Sequence, residues 1–279
     1  GGFTVVRKKM TQWSMRISAY AERFLQGLND IDWSESIKES QRNWIGKSIG
    51  AMVSFKVESQ KSKAESEQRY IDVFTTRPDT IFGVTFMTLA PEHPLVQEIT
   101  TPEYAAQVNE YVLASSKRSE RERMADVKTI SGVFTGAYAE HPFTKEAIPV
   151  WIGDYVLAGY GTGAVMAVPC GDERDYAFAN FFKGQEGMLA IKNIFDKDIS
   201  EAAFGSKEGF QLVDSDFLNG LGYKEGTKKV IEALEKLNQG FGKINYRLRD
   251  AVFSRQRYWG EPFPVYYVNT YLPKMVCLL

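Results

Sequence analysis

Phe74-Thr75-Thr76-Arg77-Pro78-Asp79-Thr80-Ile81-Phe82-Gly83 is the stretch on which the reading of this chain turns. Pro78 biases Arg77 towards an extended conformation, which ends a strand and turns the chain so that neighbouring hydroxyls and a guanidinium collect at an exposed strand end. Taken alone, the same residues suit a plain strand followed by a Pro-Asp turn. Downstream lies Gly159-Tyr160-Gly161-Thr162-Gly163-Ala164-Val165-Met166-Ala167-Val168-Pro169, and then Asp172-Glu173-Arg174-Asp175. The glycines do not form a dinucleotide loop: Val165-Met166 stands where the third glycine belongs, and no Gly-Lys-Ser/Thr follows. They suit close backbone approach beside a strand. Asp172 and Asp175, three apart at a predicted helix start, share a face near the positive end of the helix. In isolation that pair reads first as a helix cap with a first-turn acid, close to a capping box.

Around these blocks the texture of the chain changes twice. Residues 11 to 28 place Trp13, Ile17, Tyr20, Phe24 and Leu28 at three- and four-residue steps, and Trp33, Ile37, Trp44 and Ile45 suggest a second helix. From Ala51 the pattern becomes that of strands. Ala51 to Val57 and Tyr70 to Thr75 read as a hairpin joined by the charged, Ser-rich Glu58 to Arg69. Further strands are expected at Val84 to Leu89, Gly132 to Tyr138, Ala147 to Ile152, Gly163 to Val168, Met188 to Ile194 and Gln211 to Val213. Helices are expected at Pro102 to Ser115, Asp172 to Phe182 and Thr227 to Leu237, the last closed by Asn238-Gln239-Gly240. Lys117 to Lys128, dense in both charges, reads as a solvated loop or helix.

Composition bounds the function. The chain has 279 residues, and a prior of roughly 150 per domain gives about two domains. Its 34 basic residues balance 35 acidic ones, so no overall basic field exists to hold nucleic acid non-specifically, and any RNA contact must be local. No apolar run approaches the roughly 18 to 20 residues of a membrane helix, and no leader is evident, which predicts a soluble, cytoplasmic protein. Two cysteines, Cys170 and Cys277, and two histidines, His93 and His141, offer neither a disulfide framework nor a paired-ligand zinc site. The Gly-Gly start and the apolar end at Leu279 read as a fragment.

The ordered set of motifs resembles the leucyl-tRNA synthetase family from about Gln12 to Val268. Gln41-Arg42-Asn43-Trp44-Ile45-Gly46-Lys47-Ser48 resembles that family's exit from the catalytic domain into its editing insertion. Tyr246-Arg247-Leu248-Arg249-Asp250 and Ser254-Arg255-Gln256-Arg257-Tyr258-Trp259-Gly260 resemble the return. Glu122-Arg123-Met124, Gly132-Val133-Phe134-Thr135-Gly136 and Ile148-Pro149-Val150-Trp151-Ile152 also match. Valyl enzymes usually carry Thr-Thr-Arg-Pro-Glu and isoleucyl enzymes a Thr-rich Pro-Trp version, so Asp79 after Pro78 favours the leucyl family. One departure stands out: Cys170-Gly171 replaces the small residue and histidine common before the first Asp. The aminoacylation signatures His-Ile-Gly-His and Lys-Met-Ser-Lys-Ser are absent.

The resemblance implies an α/β fold: a strand-rich editing domain, with a twisted β-barrel core ringed by helices, at 49–244. It is inserted between remnants of a Rossmann-type catalytic domain at 1–48 and 245–279. It implies ester hydrolysis of tRNA(Leu) mischarged with norvaline, isoleucine or methionine at its 3′ terminal adenosine, with leucyl-tRNA(Leu) spared. In this picture Asp175 anchors the substrate ammonium, and Asp172 assists it or holds the local helix. Thr75 and Thr76 position water, ribose or the developing oxyanion, and Arg77 orders that wall. Thr80 collides with leucine's branched end, while Tyr160, Met166 and Val168 line the amino-acid pocket. No metal or cofactor is implied for editing; ATP and Mg serve aminoacylation by the full-length enzyme, which is expected to be monomeric. An inactive tRNA-docking or structural module is the alternative from another class.

Overall fold

The computed structural model describes residues 14–58, 68–118, 122–123, 129–158 and 161–252, arranged as two compact units, 1–47 with 246–279 and 48–245. Tyr160, Met124, Trp13, Cys277 and the motif at 254–260 lie outside the described residues.

In the first unit, β1 (Ser14–Met15) pairs antiparallel with β9 (Ala251–Val252), in the register Ser14 to Val252. Of the helix expected over 11–28, the part among the described residues is shorter. A 3₁₀ turn at Ile17–Tyr20 leads into α1 (Ala21–Gly27), because the residues before it are taken up by strand pairing. The helix α2 (Glu35–Ile45) stops at Gly46, whose φ of 60° is left-handed and open to a residue without Cβ. Glu22 accepts from both Lys47 Nζ and Tyr246 OH at 2.7 Å, and Asp250 accepts from the Ser18 hydroxyl at 2.6 Å.

The second unit is built on a seven-stranded sheet: β2 (Lys47–Glu58), β3 (Arg69–Thr75), β4 (Phe86–Leu89), β5 (Gly132–Glu140), β6 (Ala147–Gly153), β7 (Ala164–Ala167) and β8 (Gly240–Tyr246). The order is β3-β2-β5-β6-β4-β7, with β8 added on β2. The ladders β2–β3, β2–β5, β5–β6 and β4–β7 are antiparallel, whereas β4 and β6 run parallel, with Met87 opposite Val150. β3 and β7 approach each other, but no ladder among the described residues joins them, so the sheet is open where a closed barrel was expected.

Side-chain alternation distributes the core between two clusters. Met166 and Val168 of the β7 segment enter the larger one, with Val53, Phe55, Ile71, Met87 and Leu89. Ala167 points to a smaller aromatic cluster of Phe86, Phe134, Trp151, Phe178 and Phe182. β2 closes tightly on the end of β3, where a Cβ at Gly50 would stand 2.0 Å from the Thr75 carbonyl oxygen. Only glycine lets the two backbones meet where the threonine block begins.

The remaining helices are α3 (Leu95–Ile99), α4 (Ala105–Ser116), α5 (Glu173–Phe181) and α6 (Tyr223–Lys236). None in the described residues is long and apolar enough to cross a membrane. The strands expected at 188–194 and 211–213 do not form; a single bridge, Phe195 to Leu212, is all that pairs there. The Asn193 side chain accepts from Phe195 N–H and donates to Lys197 O, which gives the backbone a local alternative to a ladder. Ile194 and Leu212 are fully buried nonetheless, so apolar character forecast burial and not conformation.

Candidate functional site

The threonine block leaves the end of β3 and enters a 3₁₀ turn at Pro78–Gly83, all of whose residues are buried. Local chemistry sets this turn. Thr75 Oγ1 accepts from Arg77 N–H at 3.0 Å, and Thr80 Oγ1 donates to Arg77 O at 2.8 Å, so both hydroxyls bind backbone within the block. Thr80 is only 3% exposed. Thr76 is the exposed member, and its carbonyl receives the Tyr223 hydroxyl at 3.4 Å. Further along, His141 Nδ1 accepts from the N–H groups of Phe143 and Thr144, which leaves Nε2 to donate to Ile81 O at 3.1 Å. Burial holds this imidazole below its ordinary pKa, which suits a neutral, structural histidine.

Arg77 does not face the Asp172 and Asp175 carboxylates. It forks onto Asp79 through Nε and Nη2, and Nη1 donates to Ser206 O at 3.3 Å. Its guanidinium also lies 5.6 Å from the Phe210 ring centroid and 5.3 Å from that of Tyr223. Asp79 is wholly buried; burial raises its carboxyl above the usual range, and the Arg77 hydrogen bond opposes that rise. Sequence reasoning passed over Asp79, Phe210 and Tyr223 as site residues. The Arg-Pro-Asp spacing is the one local signal for the first: Arg77 stands just before the turn, and its long side chain reaches Asp79 at the second residue of the turn.

The acidic block begins α5. Asp172 is its N-cap, and its Oδ1 accepts from Arg174 N at 2.9 Å and Asp175 N at 3.2 Å. It remains exposed. Asp175 is 7% exposed because it shares a helix face with Phe178, Ala179 and Phe182, which pack on the aromatic cluster. Phe178 stacks on Phe86 with centroids 5.1 Å apart and meets Trp151 edge-on at 5.6 Å. The Asp175 carboxyl is thereby driven against the end of β7, where Oδ2 accepts from Val168 N–H at 2.9 Å. Its Oδ1 receives the Tyr155 hydroxyl at 3.4 Å. Burial, and then the neighbouring Asp172 charge, push Asp175 up to about 8, against the pull of the Val168 amide and Tyr155.

Two connections hold the blocks beside each other. The segment 204–206 binds both: Phe204 N–H donates to Cys170 O at 2.8 Å, while Ser206 O accepts from Arg77. Thr85 N–H also donates to Ala167 O at 3.1 Å, extending the β4–β7 ladder. Met166 and Val168, expected as pocket lining, are 5% exposed and sit in the larger core cluster. The Cys170 thiol is fully buried and raised to about 11 by desolvation, and Gly171 places no side chain where the histidine was expected. Among the described residues no group of three His, Cys, Asp or Glu could hold a metal ion. A recess of about 300 Å³, lined by Phe82, Val84, Thr85, His141, Glu146 and Lys192 among others, includes none of the predicted site residues.

Comparison with known proteins gives these positions a context. Residues 42–235 match the leucyl-tRNA synthetase editing-domain family. The chain is 78% identical to the leucine–tRNA ligase of Flavobacterium psychrophilum, over 99% of its own length and 30% of the relative's. It is 77% identical to that of Flavobacterium johnsoniae, over 99% and 28%. Among solved structures it is similar to LeuRS of Agrobacterium radiobacter K84, crystallised in a ternary complex with tRNA and LeuAMS. That likeness has a TM-score of 0.72 and 34% identity, covering 96% of this chain and 29% of that one. The chain thus spans less than a third of the length of these relatives.

Proposed function

The chain belongs to the leucyl-tRNA synthetase editing-domain family, and on that premise we propose that it hydrolyses the ester bond of mischarged tRNA(Leu). The observation that carries this reading is the family match over 42–235, which contains both the threonine turn and the Asp172–Asp175 turn. The chemistry supplies the need. One missing methylene changes apolar binding by only about 1–3 kcal/mol, so close analogues of leucine pass a single selection step and a second, hydrolytic step must remove them.

In the proposed reaction water attacks the ester carbonyl carbon, the carbonyl oxygen takes up negative charge, and the C–O bond to the terminal ribose breaks, with a proton passing to the departing ribose oxygen. Asp175 holds the α-ammonium and so orients the carbonyl; the ammonium in turn favours the ionised carboxyl against the burial that raises its pKa. Thr76, which is exposed beside the turn, and Thr75 position water or the developing oxyanion on this reading. Arg77 acts through Asp79 and the Gly205 and Ser206 carbonyls to hold that wall. Thr80 excludes leucine by overlap with its branched end. Activation of water falls to a ribose hydroxyl of the substrate.

The preferred substrates on this reading are norvalyl-, isoleucyl- and methionyl-tRNA(Leu), recognised at the 3′ terminal adenosine. Residues 49–244 form the editing domain, while 1–48 and 245–279 belong to the nucleotide-binding catalytic domain of a monomeric cytoplasmic ligase whose aminoacylation uses ATP and Mg. Deacylation of norvalyl-tRNA(Leu) tests the proposal. Hydrolysis by the parent, lost in Asp175→Asn with the fold retained, supports it. A stable parent that leaves the ester intact points to a docking module instead.

A further inference from the structure

We propose that Tyr155 is a positioning residue for Asp175, its hydroxyl braced by Thr88 so that one oxygen of the carboxyl is fixed from the sheet while the Val168 amide fixes the other. This inference rests on the reading of Asp175 as the ammonium anchor.

The geometry is a relay across three elements. Thr88 lies in β4, opposite Trp151 of β6 and Val165 of β7, and is fully buried. Tyr155 follows the end of β6, and its hydroxyl stands 3.0 Å from Thr88 Oγ1 and 3.4 Å from Asp175 Oδ1. A phenol has one proton. When Asp175 is ionised, that proton belongs on the carboxylate, and Thr88 Oγ1 turns its own hydrogen to the phenol oxygen. When Asp175 is protonated, the phenol can donate to Thr88 instead. Either state leaves every oxygen with a partner, so the carboxyl can change charge without rebuilding its surroundings.

Packing keeps Tyr155 in this place. Its ring lies 5.6 Å from Phe178, the residue that anchors α5 to the sheet. Across the strand end, a Cβ at Gly153 would come within 2.9 Å of the Tyr155 ring and 3.0 Å of Thr88 Cγ2. The absence of a side chain at Gly153 therefore makes the relay possible. The groups that act on Asp175 are Asp172 and Arg174 from its own helix, Tyr155 from the turn after β6, and the Val168 amide; the Cys170 thiol is close enough to feel its charge. Of these, the Val168 amide, the Tyr155 hydroxyl and Arg174 favour the ionised form, while Asp172 opposes it.

Selective labelling of aspartate carboxyl carbons allows Asp175 to be titrated by NMR in this chain, alongside deacylation of norvalyl-tRNA(Leu) between pH 6 and 9. In Tyr155→Phe, Asp175 is expected to titrate at higher pH than in the parent, and kcat/KM at pH 7 to fall about tenfold, mainly through KM. The acid limb of the rate profile should move to higher pH with it. Thr88→Val should give a smaller change in the same direction, and Thr88→Ser should behave as the parent. If Tyr155→Phe misfolds, the Thr88 pair carries the test. An unchanged Asp175 titration overturns the proposal, and so does a shifted titration with unchanged kinetics. Full activity in Asp175→Asn would instead remove the anchor role on which it rests, a failure distinct from that of Tyr155.

Discussion

Arg77 grips Asp79 through two parallel hydrogen bonds, Nε to Oδ1 at 3.0 Å and Nη2 to Oδ2 at 2.9 Å. The carboxylate is wholly buried and the guanidinium side chain 16% exposed. Removing one partner of such a pair costs far more than the pair itself contributes, because the other charge is left desolvated. Arg77→Met should therefore lose about 3–5 kcal/mol in urea unfolding. Arg77→Met combined with Asp79→Asn should recover a good part of that loss. Arg77→Lys, which cannot reproduce the fork, should behave more like Arg77→Met than like the parent. Equal stabilities for all three single and double variants would show that the pair does not hold the turn.

Thr80 offers a test of specificity with a built-in control. Its hydroxyl bonds Arg77 O, so Thr80→Ala loses both a hydrogen bond and side-chain volume, whereas Thr80→Val loses only the bond. If bulk excludes leucine, Thr80→Ala should make leucyl-tRNA(Leu) a substrate, at a rate at least tenfold above the parent. Thr80→Val should continue to spare it. Both should still clear norvalyl-tRNA, and each should lose about 1 kcal/mol of stability from the missing hydrogen bond. A gain in both variants would assign discrimination to the hydroxyl.

Asp175 should also make stability fall with pH. Its folded pKa, raised to about 8, exceeds the unfolded value near 3.8, so the folded state holds a proton that the unfolded state has released. The stabilisation this gives is complete below about pH 4 and is lost as pH rises to about 8. Asp175→Asn, which cannot ionise, should show a flatter dependence across that window and melt above the parent at pH 8.5. Parallel melting-temperature curves for the two proteins would contradict the assignment.

Asp172 separates cap from charge. Asp172→Asn keeps a side chain able to cap α5 and removes the negative charge that raises Asp175, so Asp175 should titrate lower with little loss of stability. Asp172→Ala removes both and should cost about 1 kcal/mol in addition. The two variants are compared by carboxyl titration and urea melts.

The β2–β3 hairpin was legible because Ala51 to Val57 carries the period of a strand, and the α5 start because Asp172 stands where a cap belongs. The family could be read from the motifs in their order. Other features were hidden for physical reasons. β8 was missed because Gly240 and Gly242 weaken any strand signal in that stretch. Asp79 reads as a solvent-facing turn residue until α6 brings Gly226 against it. The burial of Asp175 depends on Phe178 three positions on, whose orientation is set by Phe86 and Trp151 from distant strands. Tyr155 meets Asp175 across twenty residues of sequence, beyond any local periodicity.

The parallel pairing of β4 with β6 has a consequence for how the molecule comes into being. A parallel neighbour cannot be reached by a hairpin, and here the chain must run from Leu89 through α3, α4 and β5 before Val150 can settle beside Met87. Closing so long a loop loses entropy before any contact repays it, which places the centre of the sheet late on the folding path. During synthesis Phe86, Met87 and Leu89 therefore emerge as an apolar strand whose partner does not yet exist. The strand end that braces Asp175 is completed by the same late event, so a nascent chain acquires its hydrophobic liability well before its chemistry.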